Sequence, residues 1–290
     1  MKRSVKIAIF SLVILVVLLG LKWIRLSHSA ARFESESLGK IFVVSGLPYT
    51  KLQIGAYTDK ALIDLSSSFT IFSDSVIEST DKLKRQGSIL YFTPNGSVTA
   101  DQYEIQGVQI ANITTKVVAP IGKTQFSIIG ADILFANGPF KLSSDELAFR
   151  VPKPIDQRTF CAPAKFAVIK EKSGSTVTVG LLVKLPVDGV KRDVLLDTGS
   201  NFPLATYNSE GSADKSTTLT RTTASGTSKV QAQVHDAIIS IGGEKVSLKR
   251  YDFEKSQIDV PGDVKLGAVI LKFFDLYVDP GKEVCFQQKR

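Results

Sequence analysis

One carboxylate in this chain is set up for chemistry. In Val194-Leu-Leu-Asp197-Thr198-Gly199-Ser200-Asn201-Phe202 an apolar run ends at an acid and passes at once into a tight polar loop. A strand leaving a core in this way holds Asp197 at its tip. The next three residues suit such an acid: Thr198 offers a hydroxyl to nearby backbone, Gly199 leaves room for another segment to approach, and Ser200 is a donor for the carboxylate. Asp-Thr-Gly by itself is also an ordinary turn, since Asp and Gly favour turn positions. The functional alternative is an acid that works as half of a pair, and the rest of the chain bears on it.

Downstream, Val264-Lys-Leu-Gly267-Ala268-Val-Ile270-Leu271 is an apolar run with a glycine that opens a short predicted helix. With this partner the second half resembles the retropepsin-like aspartic proteases. In that family an apolar strand leads to an Asp-Thr-Gly loop, a glycine-bearing flap hairpin, an apolar-Gly turn with a short helix, and a last strand. Here the corresponding residues are Asp197, the hairpin Thr223-Ala-Ser-Gly226-Thr-Ser, Leu266-Gly267 and the closing strand Glu283-Val-Cys-Phe286.

The first half carries a weaker copy, and a fixed offset between similar segments signals duplication. Ala61-Leu-Ile-Asp64-Leu65-Ser66-Ser67-Ser68-Phe69 lies over the Asp197 segment at an offset of 197 − 64 = 133. Ile129-Gly130-Ala131-Asp-Ile133-Leu134 lies over Leu266 to Leu271 at 267 − 130 = 137, and the closing strands Glu146-Leu-Ala-Phe149 and Glu283-Val-Cys-Phe286 keep that second offset. The resemblance therefore implies a mostly β chain of two tandem retropepsin-like barrel lobes forming a bilobal pseudo-dimer. It also implies Asp197 and Asp64 as the catalytic pair and an extended polypeptide as substrate between the lobes, with no cofactor and no metal. Two carboxylates about 3 Å apart share a proton: the ionised one takes a proton from water, and the protonated one polarises the scissile carbonyl.

The first loop departs from the pattern, with Leu65-Ser66 where the family has Thr-Gly. Leu65 has no hydroxyl to match the backbone clamp of Thr198. Ser66 puts a side chain where two backbones approach and is expected to strain where glycine would not. The hydroxyls of Ser66 and Ser67 are candidate donors to Asp64. Three outcomes follow: a single-chain protease with an asymmetric dyad, a homodimer pairing two Asp197 loops, or a peptide-binding module without hydrolysis.

The elements that must position these acids read as strands. Lys40-Ile-Phe-Val-Val44, Lys51-Leu-Gln-Ile54, Ala61-Leu-Ile63, Ser88-Ile-Leu-Tyr-Phe92, Gln109-Ile110 and Thr115-Lys-Val-Val118 are rich in β-branched residues, and long amphipathic helices are scarce. The proline-bearing stretch 151–160 divides a first lobe (40–150) from a second (161–290). Flap tips are expected at Gly96, in Thr93-Pro-Asn-Gly-Ser, and at Gly226, because glycine suits a hairpin tip. The serine- and threonine-rich stretch Ser216 to Ser228 is expected to be a flexible solvated segment.

Lys2, Arg3 and Lys6 precede an apolar run from Ile7 to Leu21, extended by Trp23, Ile24 and Leu26, with Lys22 and Arg25 able to snorkel. Residues 1–26 are read as a signal anchor or a cleaved signal peptide, the anchor being favoured, and 27–39 as a tether. This expectation makes the chain a single-pass membrane protein with an extracytoplasmic, periplasmic body. Cys161 and Cys285 are either a disulfide or two buried thiols. The net charge of +8 is scattered among acids without an aromatic-interleaved basic motif, so no nucleic-acid partner is expected. With only His28 and His235, the first in the tether, a serine–histidine triad has little to rest on, and no phosphate or dinucleotide glycine loop is present.

Overall fold

The computed structural model describes residues 37–79, 83–93, 96–122, 124, 126–170, 176–207, 217–223, 226–253 and 262–289. The predicted membrane segment 1–26 and tether residues 27–36 lie outside the described residues. Among those described, no helix is long and apolar enough to cross a membrane.

The described residues are mostly β and form two sheets. The first half gives β1 (Phe42–Val44), β2 (Leu47–Ile54), β3 (Tyr57–Ile63), β4 (Phe72–Ser73), α1 (Ser75–Ser79), β5 (Leu83–Thr93), β6 (Gly96–Ile110), β7 (Ile113–Gly122), β8 (Ser127–Ile129), α2 (Ala131–Ala136), β9 (Phe140–Leu142) and β10 (Leu147–Phe149). The second half gives β11 (Thr159–Lys170), β12 (Thr176–Val187), β13 (Val190–Asp197), β14 (Leu204–Thr206), β15 (Thr217–Thr223), β16 (Gly226–Ile241), β17 (Glu244–Phe253) and β18 (Val264–Gly267). A 3₁₀ turn (Ala268–Lys272), β19 (Phe274–Asp279) and β20 (Glu283–Gln288) complete it. The smaller sheet runs β4-β7-β6-β2-β3-β8, with β1 on β2 and β5 on β6. The larger runs β10-β9-β19-β20-β11-β12-β13-β18-β14-β17-β16-β15, and a further β12–β16 pairing bends it back on itself.

Two strands deliver the acids, and both change character along their length. In β13 the first three residues are exposed and the last four buried; β3 likewise passes from half-buried Tyr57–Lys60 to buried Ala61, Leu62 and Ile63. Apolar residues at the strand ends pull each tip inward, so a polar residue there leaves the strand at the core's edge. Ile63, Leu65, Leu181, Leu196 and Leu266 belong to one hydrophobic core that spans both halves.

The sheets cross the sequence midpoint. Residues 151–156 have no regular structure, yet β9, from the first half, pairs antiparallel with β19 through Phe140↔Val278 and Leu142↔Leu276. Strands from both halves therefore share the larger sheet. A disulfide joins Cys161 to Cys285, which sit opposite one another on β11 and β20. Closing so long a loop restricts the unfolded chain by about 4–5 kcal/mol in the chain-entropy account.

One expectation is corrected. Within the Ser216–Ser228 stretch, expected as a flexible solvated segment, Thr217–Thr223 is strand β15, in register with β16 from Thr217↔Ala232 to Thr223↔Gly226. Threonine's branched Cβ favours extended backbone, and Leu219 and Val230 pack against Phe202, Ala205, Ala232 and Phe253.

Candidate active site

The same local geometry is built twice. Parallel pairing sets Ile63 against Ile129 on β3 and β8, and Leu196 against Leu266 on β13 and β18. The loop after each strand closes alike: the Ser67 N–H donates to the Asp64 carbonyl at 3.3 Å, and the Ser200 N–H to the Asp197 carbonyl at 3.1 Å. Ala131 N–H donates to Ser67 O at 2.7 Å, and Ala268 N–H to Ser200 O at 3.0 Å. Gly130 and Gly267 then occupy matching positions. A Cβ on Gly130 would stand 2.4 Å from Phe69 O, and one on Gly267 would stand 2.1 Å from Phe202 O, so backbone contact excludes any side chain at either. Each hairpin also rests on the phenylalanine five residues beyond its acid. Ile89 and Ala100 of β5–β6 pack in one cluster with Phe69; Leu219 and Val230 of β15–β16 pack in another with Phe202.

These twin loops face each other and bring Asp64 and Asp197 together. Ser66 Oγ lies 2.9 Å from Asp64 Oδ1 and 2.7 Å from Asp197 Oδ1. A hydroxyl has one proton, so it donates to one carboxyl and accepts from the other, and the arrangement is complete only when one acid is protonated. Burial, and next the nearby Asp197 charge, push the Asp64 carboxyl up to about 6 against the opposing pull of the Ser66 hydrogen bonds and Lys265. Asp64 remains partly accessible, whereas Asp197 is 6% exposed.

Thr198 locks the loops. Its buried hydroxyl donates to Ile63 O at 2.8 Å and accepts the Leu65 N–H at 3.0 Å, tying the second loop to both sides of Asp64. The reciprocal bond is missing in kind, since Leu65 carries no hydroxyl. Its side chain is instead fully buried in the core, which contributes about 1.5–3 kcal/mol. Gly199 lies directly against the Asp64 carboxyl.

Several expected roles move. Ser66 is not at positive φ, so the anticipated backbone strain is absent; its side chain fits by pointing between the acids. Ser200 Oγ accepts the Phe202 N–H at 3.2 Å, and the hydroxyl on Asp197 is that of Ser66. Ser67 Oγ donates to Phe69 O at 2.8 Å rather than to Asp64. Gly96 and Gly226 each open the return strand of a long hairpin after a two-residue connection. His235 is exposed on β16, 3.4 Å from Asp252 Oδ2.

One residue at the site escaped the sequence reading. Lys265 Nζ stands 3.1 Å from Asp197 Oδ2, with side-chain exposures of 19% and 9%. It also lies 5.2 Å from the Tyr207 ring centroid. Burial alone would lower the Lys265 ammonium, but Asp197, then Tyr207 and Asp64, outweigh it and raise its proton affinity. A lysine inside the otherwise apolar run Val264 to Leu271 was the available signal.

No protein-family model matches the chain, and no curated protein matches it.

Proposed function

We propose that this chain is an aspartic endopeptidase, built as two tandem retropepsin-like lobes, that hydrolyses peptide bonds of an extended polypeptide bound between them. The observation that carries the reading is the Ser66 hydroxyl within hydrogen-bond reach of both Asp64 and Asp197. Such an arrangement calls for one proton between two acids, which is the protonation state this hydrolysis requires. The duplicated strand–loop–glycine geometry and the Thr198 clamp support the lobe assignment.

In the proposed reaction a water molecule attacks the scissile carbonyl carbon. Its proton passes to the ionised carboxylate while the protonated acid gives its proton to the carbonyl oxygen. The tetrahedral gem-diol then collapses: the C–N bond breaks, the nitrogen takes the proton from the first acid, and the second recovers its own from one gem-diol hydroxyl as the carbonyl re-forms. Asp64 and Asp197 meet within one polypeptide, so this reading needs no second copy. The expected anchor and the Cys161–Cys285 disulfide favour a membrane-tethered body in an oxidising compartment.

A peptide-binding module without hydrolysis is the second reading, favoured by the ion pair between Lys265 and Asp197, which occupies one oxygen of that acid. Incubating the soluble body, residues 38–290, with a peptide library between pH 3 and 7 separates the two. Cleavage abolished by both Asp64→Asn and Asp197→Asn supports the single-chain protease. Cleavage that survives Asp64→Asn points to paired Asp197 loops, and retained peptide binding without any cut supports the module.

A further inference from the structure

The two halves differ in charge at a register position beside the acids. On β8 and β18 the residue two before the buried glycine is Ile128 in the first half and Lys265 in the second, paired with Leu62 and Leu195 respectively. Ile128 is 8% exposed and packs with Ile71, so the duplicated position is apolar by construction. In the second half it carries an ammonium, 3.1 Å from Asp197 Oδ2, on the side of that acid away from the oxygen that Ser66 reaches.

We infer that Lys265 is a positioning residue that acts through Asp197: its fixed positive charge holds the negative charge of the acid pair on Asp197 and leaves the shared proton to Asp64. This inference rests on the proposed acid-pair chemistry and deepens it. The groups facing the ammonium are Asp197 from β13, Asp64 from the loop after β3 and the Tyr207 ring beyond β14, with neutral Ser66 between the acids. Of these, Asp197 alone is in direct ion-pair contact. A half-buried ammonium is costly without such a partner, so the pair is held together by its surroundings.

The Ser66 hydroxyl then has a defined direction. It donates to the charged Asp197 and accepts from the protonated Asp64. Asp197 becomes the acid that receives the proton of water, and Asp64 the one that gives its proton to the carbonyl oxygen. In a symmetric pair the two roles would be interchangeable; a cation on one side removes that degeneracy.

The test is the titration of the pair in Lys265→Met, with Lys265→Arg as the conservative variant and Lys265→Gln as a second neutral one. Carboxyl ¹³C resonances of Asp64 and Asp197 are followed against pH in the full-length chain, alongside the pH profile of peptide cleavage. The ammonium favours the charged form of the pair, as it does at Asp64. Its loss should therefore move the titration of the pair upward, and the acid limb of the cleavage profile with it. Lys265→Arg should restore the wild-type midpoints. Unmoved midpoints in folded Lys265→Met and Lys265→Gln overturn the inference. A shifted titration in a protein that cuts no peptide overturns the hydrolysis reading and leaves the inference standing.

Discussion

Gly199 lies so close to the Asp64 carboxyl that a Cβ built on it would stand 2.2 Å from Oδ2 and 2.4 Å from Cγ. Gly199 is not at positive φ, so the requirement is for space and not for a left-handed backbone. The glycine sets how near the two loops come, and hence whether one hydroxyl reaches both acids.

Gly199→Ala is accordingly expected to push the loops apart. Overpacking of this kind costs about 1–3 kcal/mol, and peptide cleavage should fall far more than stability because the Ser66 bridge is lost. Urea denaturation and initial rates measured on the same preparation check this. An alanine variant that cleaves at the wild-type rate would contradict the contact.

The Thr198 hydroxyl serves two backbone groups at once, Ile63 C=O and Leu65 N–H. Thr198→Val keeps the shape and removes both bonds in a buried site. Each orphaned group costs about 1–3 kcal/mol, so the loss should exceed that of a single deleted hydrogen bond, whereas Thr198→Ser should recover most of it. Equal stabilities for the valine and serine variants in urea would show that the hydroxyl does not clamp the loops.

How much of this was legible in the sequence depends on whether the cause was local. Asp197, Asp64, Gly130 and Gly267 could be found because a strand tip and an obligatory glycine leave marks within a few residues. The role of Ser66 could not, since it arises from two loops 131 residues apart meeting face to face. Ser67 and Ser200 looked equally suitable as donors, and only the tertiary turn assigns their hydroxyls to Phe69 O and the Phe202 N–H. Lys265 was hidden by ordinary alternation: in Val264-Lys-Leu the flanking residues are buried and a lysine between them reads as facing solvent. Here that other face borders the acids. The threonines of β15 were misread for the opposite reason, their polarity being given more weight than their branched Cβ.

Asp64 also ties the site to the pH dependence of folding. Its carboxyl is raised to about 6 by burial first and by Asp197 second, against an ordinary value near 4. The folded state therefore binds more protons than the unfolded state between those values, and stability falls as pH rises through that window. Below about pH 4 both states are protonated and there is no cost; above about pH 6 the full cost is present, on the order of 2–3 kcal/mol. Asp64→Asn, which imitates the protonated acid, should leave stability at pH 3.5 close to wild type and raise it at pH 8 by roughly that amount. Denaturant midpoints at the two pH values measure the difference. If the asparagine variant gains nothing at pH 8, Asp64 is not held protonated by its surroundings, and the division of charge between the two acids fails with it.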